Sequence, residues 1–322
     1  MVLDEIQTKA SHSLLQNLLT FYKAESMVAQ LFAAVGSFIC SSFGGTQERA
    51  NFVAKTLESF FLASSIHDDA VDIYDTEKGD YPTSLQVISG DIFFVSLAKY
   101  LALATRDVPL DSAKKAIDNL IKYLRIIGKY QVLERKTNIR SANEALVHTR
   151  YLGAIQGRMA VEFGATLGST ATDEDITQAG DIGEKLFFAL TIRDDLSDLI
   201  DDLANGVFTW PVCLMYERKD ELLAQQKLSK EEVDLLVSGV SQGKIEDAKT
   251  VYLMLKKTGI LEMVNQKVDA QLAEALEILN QAAKRRNEEY AMKWFVVENI
   301  LQNVVPETTK RSIKDLEEKL SL

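Results

Sequence analysis

Ile66-His67-Asp68-Asp69-Ala70-Val71-Asp72-Ile73-Tyr74-Asp75 is the stretch on which the reading of this chain turns. It has an echo downstream, Ile192-Arg193-Asp194-Asp195-Leu196-Ser197-Asp198. Each holds Asp-Asp-x-x-Asp in an apolar run that permits a helix. Asp68 and Asp72, like Asp194 and Asp198, then stand four residues apart on one helix face. Carboxylates clustered among Ala, Leu, Phe and Ile repel one another, and a cation is needed to neutralise them. Oxygen-only ligands favour a hard ion such as Mg²⁺, which keeps water and usually holds a substrate phosphate as well. One such cluster alone reads equally well as a solvated acidic helix end; two in matching apolar settings favour a paired metal site.

Helical signals extend outward from both runs. Apolar residues recur at helical spacing from Leu14 to Phe43 and stop at Gly44-Gly45. Gln47 to Tyr74 is the next expected helix, almost wholly apolar between Phe52 and Ile66 and therefore central. Thr76 to Pro82 combines Gly, Asp and Pro and reads as a loop. Ser89-Gly90-Asp91 is expected to precede a helix over Ile92 to Ala104. Others are expected from Ser112 to Lys136, from Ser141 to near Leu167, and from Asp173 to near Leu203, where Asn205-Gly206 ends the helix bearing the second cluster. More amphipathic helices follow from Trp210 onward. No segment alternates strictly as a half-buried strand does, and no β-hairpin turn joins β-branched runs. The expectation is an all-α chain forming a single domain over 1–322, a helical bundle with a deep central apolar cavity and metals at its mouth.

Composition narrows the function. Hydrophobic residues make up 47% of the 322 and charged residues 26%, which suits a folded chain with a sizeable core. A net charge of −11 argues against a nucleic-acid partner, which requires a basic footprint. Cys40 and Cys213 lie in apolar surroundings and are expected to be buried free thiols, as in a reducing cytoplasm. The N-terminus carries acidic residues where a signal peptide has basic ones, and no uninterrupted apolar run reaches about 18 residues. A soluble, cytoplasmic protein without a membrane span is expected.

On the paired motifs the sequence resembles the trans-prenyl diphosphate synthase (polyprenyl synthetase) family of class I isoprenoid enzymes, from near residue 14 to near residue 300. The resemblance implies that Asp68, Asp69 and Asp72, with Asp194, Asp195 and Asp198, are the catalytic metal ligands, holding two or three Mg²⁺ ions together with a prenyl diphosphate. His67 before the first motif is expected to orient the metal site. Gly90-Asp91 looks like the Gly-Asp that opens the helix after the first motif, Gln131 like a substrate-binding glutamine, and Gly206, Thr209 and Pro211 like a downstream Gly-Lys-x-Thr-x-Pro. The family's homodimer is implied as well.

The departures carry as much information. The family's isopentenyl diphosphate pocket uses a lysine, an arginine, a histidine and an Arg pair, and those positions here are Ala29, Phe32, Phe61 and Glu77-Lys78. Downstream, the Phe-Gln pair is Leu190-Thr191, the Lys-Thr pair is placed at Arg158-Met159, and a lysine is replaced by Val207. A diphosphate cannot be desolvated against Ala and Phe without cationic partners. The cations within plausible reach of the remaining, metal-bound diphosphate are Lys78, Arg158 and Arg193, and Arg158 is the best placed of these. Arg193 is expected to point away from the metals and reach solvent. Ala63 and Ser64, small where the family's bulky residues stop the growing chain, leave room for a long tail, with Phe60 and Phe61 as a floor one turn deeper. Small residues there could equally serve close helix packing. His12 and His148 read as isolated histidines rather than ligands.

Together these features lead to a Mg²⁺-dependent enzyme that ionises a long allylic prenyl diphosphate (C15–C20 or longer) and either cyclises it or passes the cation to an acceptor other than isopentenyl diphosphate. The alternatives are an ordinary chain-elongating polyprenyl diphosphate synthase and a non-catalytic partner subunit or binding protein on the same fold.

Overall fold

The computed structural model describes residues 27–72, 83–134, 141–285, 314 and 316–320. No strand occurs among them, in agreement with the all-α expectation. The helices that frame the motifs are α1 (Met27–Ser42), α2 (Gln47–Asp72), α3 (Thr83–Thr105), α4 (Leu110–Glu134), α5 (Ala142–Thr149), α6 (Ile155–Thr166), α7 (Asp173–Ser197), α8 (Leu199–Ala204) and α9 (Trp210–Glu217). Beyond them run α10 (Lys219–Ala224), α11 (Lys230–Gln242), α12 (Ala248–Thr258) and α13 (Ile260–Arg285). They group into two compact units, Met1–Leu120 with Met159–Gly180, and Ile121–Arg158 with Asp181–Leu322.

In the first unit α2 packs along α3 on one side and along α1 on the other. The ring of His67 lies against Gly90, while Lys55 sits 5.1 Å from the ring centroid of Tyr100, so α2 and α3 run antiparallel. The Ser89-Gly90-Asp91 start signal is corrected here: α3 begins at Thr83, and Gly90 falls inside it. Glycine is kept for space, since a Cβ at position 90 would come within 2.4 Å of the His67 ring. Ala29, Leu62, Ala63, Ile66, Phe93 and Tyr100 form one buried cluster between α1, α2 and α3.

In the second unit the expected helix from Ser141 is divided. Ser141 caps α5, its Oγ accepting from the Glu144 N–H while Glu144 accepts from the Ser141 N–H, a reciprocal cap. A π-helical stretch, Arg150–Ala154, then separates α5 from α6. It brings Gly153 so close to Thr191 of α7 that a Cβ would meet the Thr191 Oγ1 at 1.9 Å. Gly157 lies against Gly183 and Phe187, so the start of α6 runs antiparallel to α7. α7 stops at Ser197, and Asp198 (φ −96°, ψ 6°) leads into α8 rather than continuing one helix to Leu203. Gly206 closes α8 at a φ of 74°, as the Asn205-Gly206 signal predicts.

α3 contains a stretch, Val87–Thr105, long and apolar enough to cross a membrane by length and composition, a test that the core helix of a soluble protein also passes. Cys40 and Cys213 are buried and free, and burial pushes the Cys40 thiol up to about 11.

Candidate active site

The first acidic run closes α2. Asp68, Asp69 and Asp72 belong to its last turns, but their side chains lie outside the described residues, as do Glu77 and Lys78 entirely. His67 is half-buried, with Nε2 at 3.2 Å from the Val87 carbonyl oxygen and 3.4 Å from Asp91 Oδ1, and its ring packs on Phe94. α3 therefore holds the histidine that precedes the motif.

Upstream on α2, Ala63 and Phe60 are fully buried, whereas Ser64 and Phe61 are half-buried. Phe32 of α1 meets both aromatic residues, with ring centroids 6.0 Å from Phe60 and 5.7 Å from Phe61. Two of the positions where the resemblance calls for a cation, Phe32 and Phe61, thus pack directly on each other, and another of them, Ala29, is 0% exposed in the cluster with Ala63. The share of α3 in this region has no signal in the order of residues along α2. Phe93 and Tyr100 are packed into the cluster that contains Ala63, so the volume a small side chain leaves is occupied from the neighbouring helix. A count of α2 positions alone could not reveal it.

The second acidic run closes α7. The Asp198 N–H donates to the Asp194 carbonyl at 3.0 Å, so the two residues keep helical spacing up to the break. Asp194 exposes 59% of its side-chain surface, yet the bulk around its carboxyl raises its pKa above the ordinary range, with Arg193 pulling the other way. Asp195 borders a cavity of about 60 Å³ with His148, Thr149, Leu152, Thr191, Val207, Phe208, Thr209 and Trp210. His148 is 7% exposed, and its Nε2 lies 3.2 Å from the Tyr130 carbonyl. Gln131 directly follows that residue on α4 and is half-buried.

Arg158 stands elsewhere. Its Nη1 donates to Asp181 Oδ1 at 2.6 Å and to Glu184 Oε2 at 2.8 Å, while Arg150 Nε donates to Glu184 Oε1 at 2.5 Å. Burial would raise the Glu184 carboxyl, but the bonds from Arg158 and Arg150 hold it below its ordinary value. Glu184 precedes Asp194 on α7 by ten residues, which is about 15 Å of helix. The structure therefore does not bring Arg158 to the second motif, because its guanidinium is already committed to two carboxylates. The residues of the preceding helical run that stand level with Asp195 are Thr149 and Leu152, so the Arg158-Met159 placement of the Lys-Thr pair is displaced toward the C-terminus. Antiparallel packing explains it: each residue forward from Leu152 lies farther from the C-terminal end of α7. Arg193 is also corrected. Only 12% of its side chain is exposed, so it does not reach freely into solvent.

The donor set suits Mg²⁺. Asp194, Asp195 and Asp198 offer only hard oxygens, and no three His, Cys, Asp or Glu side chains among the described residues gather into a protein cage. A site that holds Mg²⁺ through one or two carboxylates and fills its sphere with water and phosphate oxygens needs no such cage.

Comparison with known proteins places this geometry. No family model matches the chain. It is 27% identical over 181 residues to a geranylgeranyl diphosphate synthase of Sulfolobus acidocaldarius, covering 52% of this chain and 54% of that one. Over 175 residues it is 27% identical to a dimethylallyltranstransferase of Fischerella ambigua, half of each chain being covered. The chain thus spans about half the length of the curated relatives it matches. Among solved structures, a decaprenyl diphosphate synthase from Rhodobacter capsulatus superposes with a TM-score of 0.71 at 18% identity, covering 97% of this chain and 95% of that one. A geranylgeranyl pyrophosphate synthase from Corynebacterium glutamicum, solved with isoprenyl diphosphate and magnesium, gives 0.68 at 18% identity, with 85% of each covered. The chain therefore shares its fold with that decaprenyl diphosphate synthase along nearly its whole length, and about half of it is similar in sequence to the geranylgeranyl diphosphate synthase and the dimethylallyltranstransferase.

Proposed function

We propose that the chain is a Mg²⁺-dependent prenyltransferase of the polyprenyl diphosphate synthase type, which ionises an allylic prenyl diphosphate and joins the carbon chain to isopentenyl diphosphate. The observation that carries this reading is the pair of Asp-Asp-x-x-Asp runs, each closing a long helix of a polyprenyl synthase fold. The relatives' names favour elongation over the cyclisation or alternative acceptor that the altered cation positions suggest in the sequence. Asp68, Asp69, Asp72, Asp194, Asp195 and Asp198 would hold two or three Mg²⁺ ions. When bound, these supply charge neutralisation to the departing diphosphate. The chain's own residues orient the carboxylates, His67 through α3 and Asp194 through the turn it shares with Asp198. The apolar side chains near Ala63 and Phe61 keep water from the reacting carbon. A deep apolar cavity for the tail, a single domain over 1–322 and a cytoplasmic location belong to the same reading. The borders of the two units fall within α4, α6 and α7, which supports the single domain. A homodimer is supported by the outward face of α3, where Ile88 and Val95 are 57% and 73% exposed.

A second reading, transfer to an acceptor other than isopentenyl diphosphate or cyclisation, is favoured by one observation: Ala29, Phe32 and Phe61 supply buried apolar surface where the resemblance requires cations. One incubation separates the readings. Farnesyl or geranylgeranyl diphosphate is supplied with Mg²⁺, with and without isopentenyl diphosphate, and products and released pyrophosphate are analysed. Elongation that requires isopentenyl diphosphate supports the first reading. Pyrophosphate release in its absence supports the second. Activity that emerges only with an added subunit would sink both and leave a non-catalytic partner.

A further inference from the structure

Arg193 is a charge the described fold leaves unsatisfied. Its side chain is 12% exposed, and its Nε is buried without a hydrogen-bond partner. The ion pair it makes is with Asp194, and the 3.9 Å from Nη2 to Oδ1 is too long for a hydrogen bond. An arginine cannot shed its proton, so the guanidinium stays charged in a setting where Ile192 and Leu196, its neighbours on α7, are 0% and 2% exposed. A buried charge is tolerated when hydrogen-bonded partners satisfy it. Arg158, also in the second unit, has two such carboxylates. Arg193 has one neighbouring carboxylate, at a distance and in a motif that the proposed function assigns to a metal.

We propose that Arg193 is a binding residue for the diphosphate group, taking the non-bridging oxygens of the substrate and then of the released pyrophosphate in the place that the sequence reading gave to Arg158. This rests on the reading of the chain as an enzyme of allylic diphosphates. The planar guanidinium presents its donors as a fork that matches two phosphate oxygens at once. When the C1–O bond breaks, its electron pair departs with the diphosphate oxygen. Arg193 counters the negative charge gained there without moving a proton. A guanidinium that is largely buried, with its Nε already without a partner, has less water to lose when the anion arrives than an exposed lysine has.

The test is titration of inorganic pyrophosphate with Mg²⁺ into the full-length protein, followed by calorimetry, for the wild type, Arg193→Met and Arg193→Lys, with the melting temperature of each free protein. Arg193→Met is expected to bind pyrophosphate about tenfold or more weakly, with partial recovery in Arg193→Lys. Its ligand-free melting temperature should stay level or rise, because an unsatisfied buried charge has gone. Unchanged pyrophosphate affinity in Arg193→Met overturns the proposal while leaving the diphosphate reading intact. A lowered melting temperature, or failure to fold, overturns it too, since the guanidinium would then be stabilising the free chain. A wild type that binds no pyrophosphate removes the diphosphate reading itself.

Discussion

Two arginines in the second unit, Arg158 and Arg193, show opposite economies of charge. Arg158 is bonded to Asp181 and Glu184, and Glu184 takes a further bond from Arg150, so the fold neutralises this cluster by itself. Arg193, near the C-terminal end of α7, is more deeply buried and, among the described residues, forms an ion pair only with a distant Asp194. A cation saturated by the fold contributes to stability and has little left for a ligand. A buried cation that the fold leaves short of partners contributes to binding, at some cost to stability. Sequence alone ranks the two the other way round, because charge type and distance from a motif along the chain are visible there and pairing is not.

The contrast can be broken by substitution, beginning with the motif both arginines were read against. Asp194→Asn is expected to lower turnover about 10²–10³-fold with an unchanged far-UV circular dichroism spectrum; turnover within a few-fold of wild type would remove the second motif from the site. Arg158→Met should act on stability instead. Breaking a buried pair costs about 3–5 kcal/mol. With Arg158 20% and Asp181 41% exposed, about 2 kcal/mol is expected in urea unfolding after allowance for solvent screening, and substrate KM should move less than about threefold. A raised KM at full stability would return Arg158 to the diphosphate.

The first unit offers a smaller effect. Phe93→Leu should cost about 1 kcal/mol and widen the region around Ala63, so that product analysis or competition among allylic diphosphates shifts by one five-carbon unit toward longer tails. No shift in a folded variant would mean that the cluster lies off the path of the tail. The Arg158 cluster also predicts a pH dependence. The Glu184 carboxyl is held below its ordinary value, so its contribution is fully present above the unfolded pKa and disappears as pH falls through the lower folded value. The stability gap between wild type and Glu184→Gln should therefore narrow in acid, and a gap that widens would reverse the assignment. Least disturbed is Cys40. With its thiol pushed up to about 11, it should resist iodoacetamide at neutral pH until the chain unfolds.

Much of the fold was legible from local pattern. The apolar periodicity, the caps at Ser141 and the stop at Gly206 depend on neighbours a few residues away, and the helices appear where those signals stand. The start of α3 at Thr83 was missed because Ser89-Gly90 carries the local character of a helix boundary, whereas Gly90 is retained to admit the ring of His67 from another helix. The placement of the Lys-Thr pair at Arg158-Met159 failed for a related reason. Residues of α6 are ordered against α7 by antiparallel packing, and the close approach of Gly153 to Thr191 sets the register that a one-dimensional alignment has to guess.

By itself, then, the sequence determined the helices, the two carboxylate runs and the ion chemistry they invite, because spacing along a helix fixes which side chains share a face. Only tertiary structure decided which arginine is left short of hydrogen-bond partners and what fills the space beside Ala63. Both depend on groups that are distant in the chain, Asp181 and Glu184 for the one and Phe93 and Tyr100 for the other. Charge neutralisation and close packing act between neighbours in space, and the order of residues in the chain does not carry that information until the helices have met.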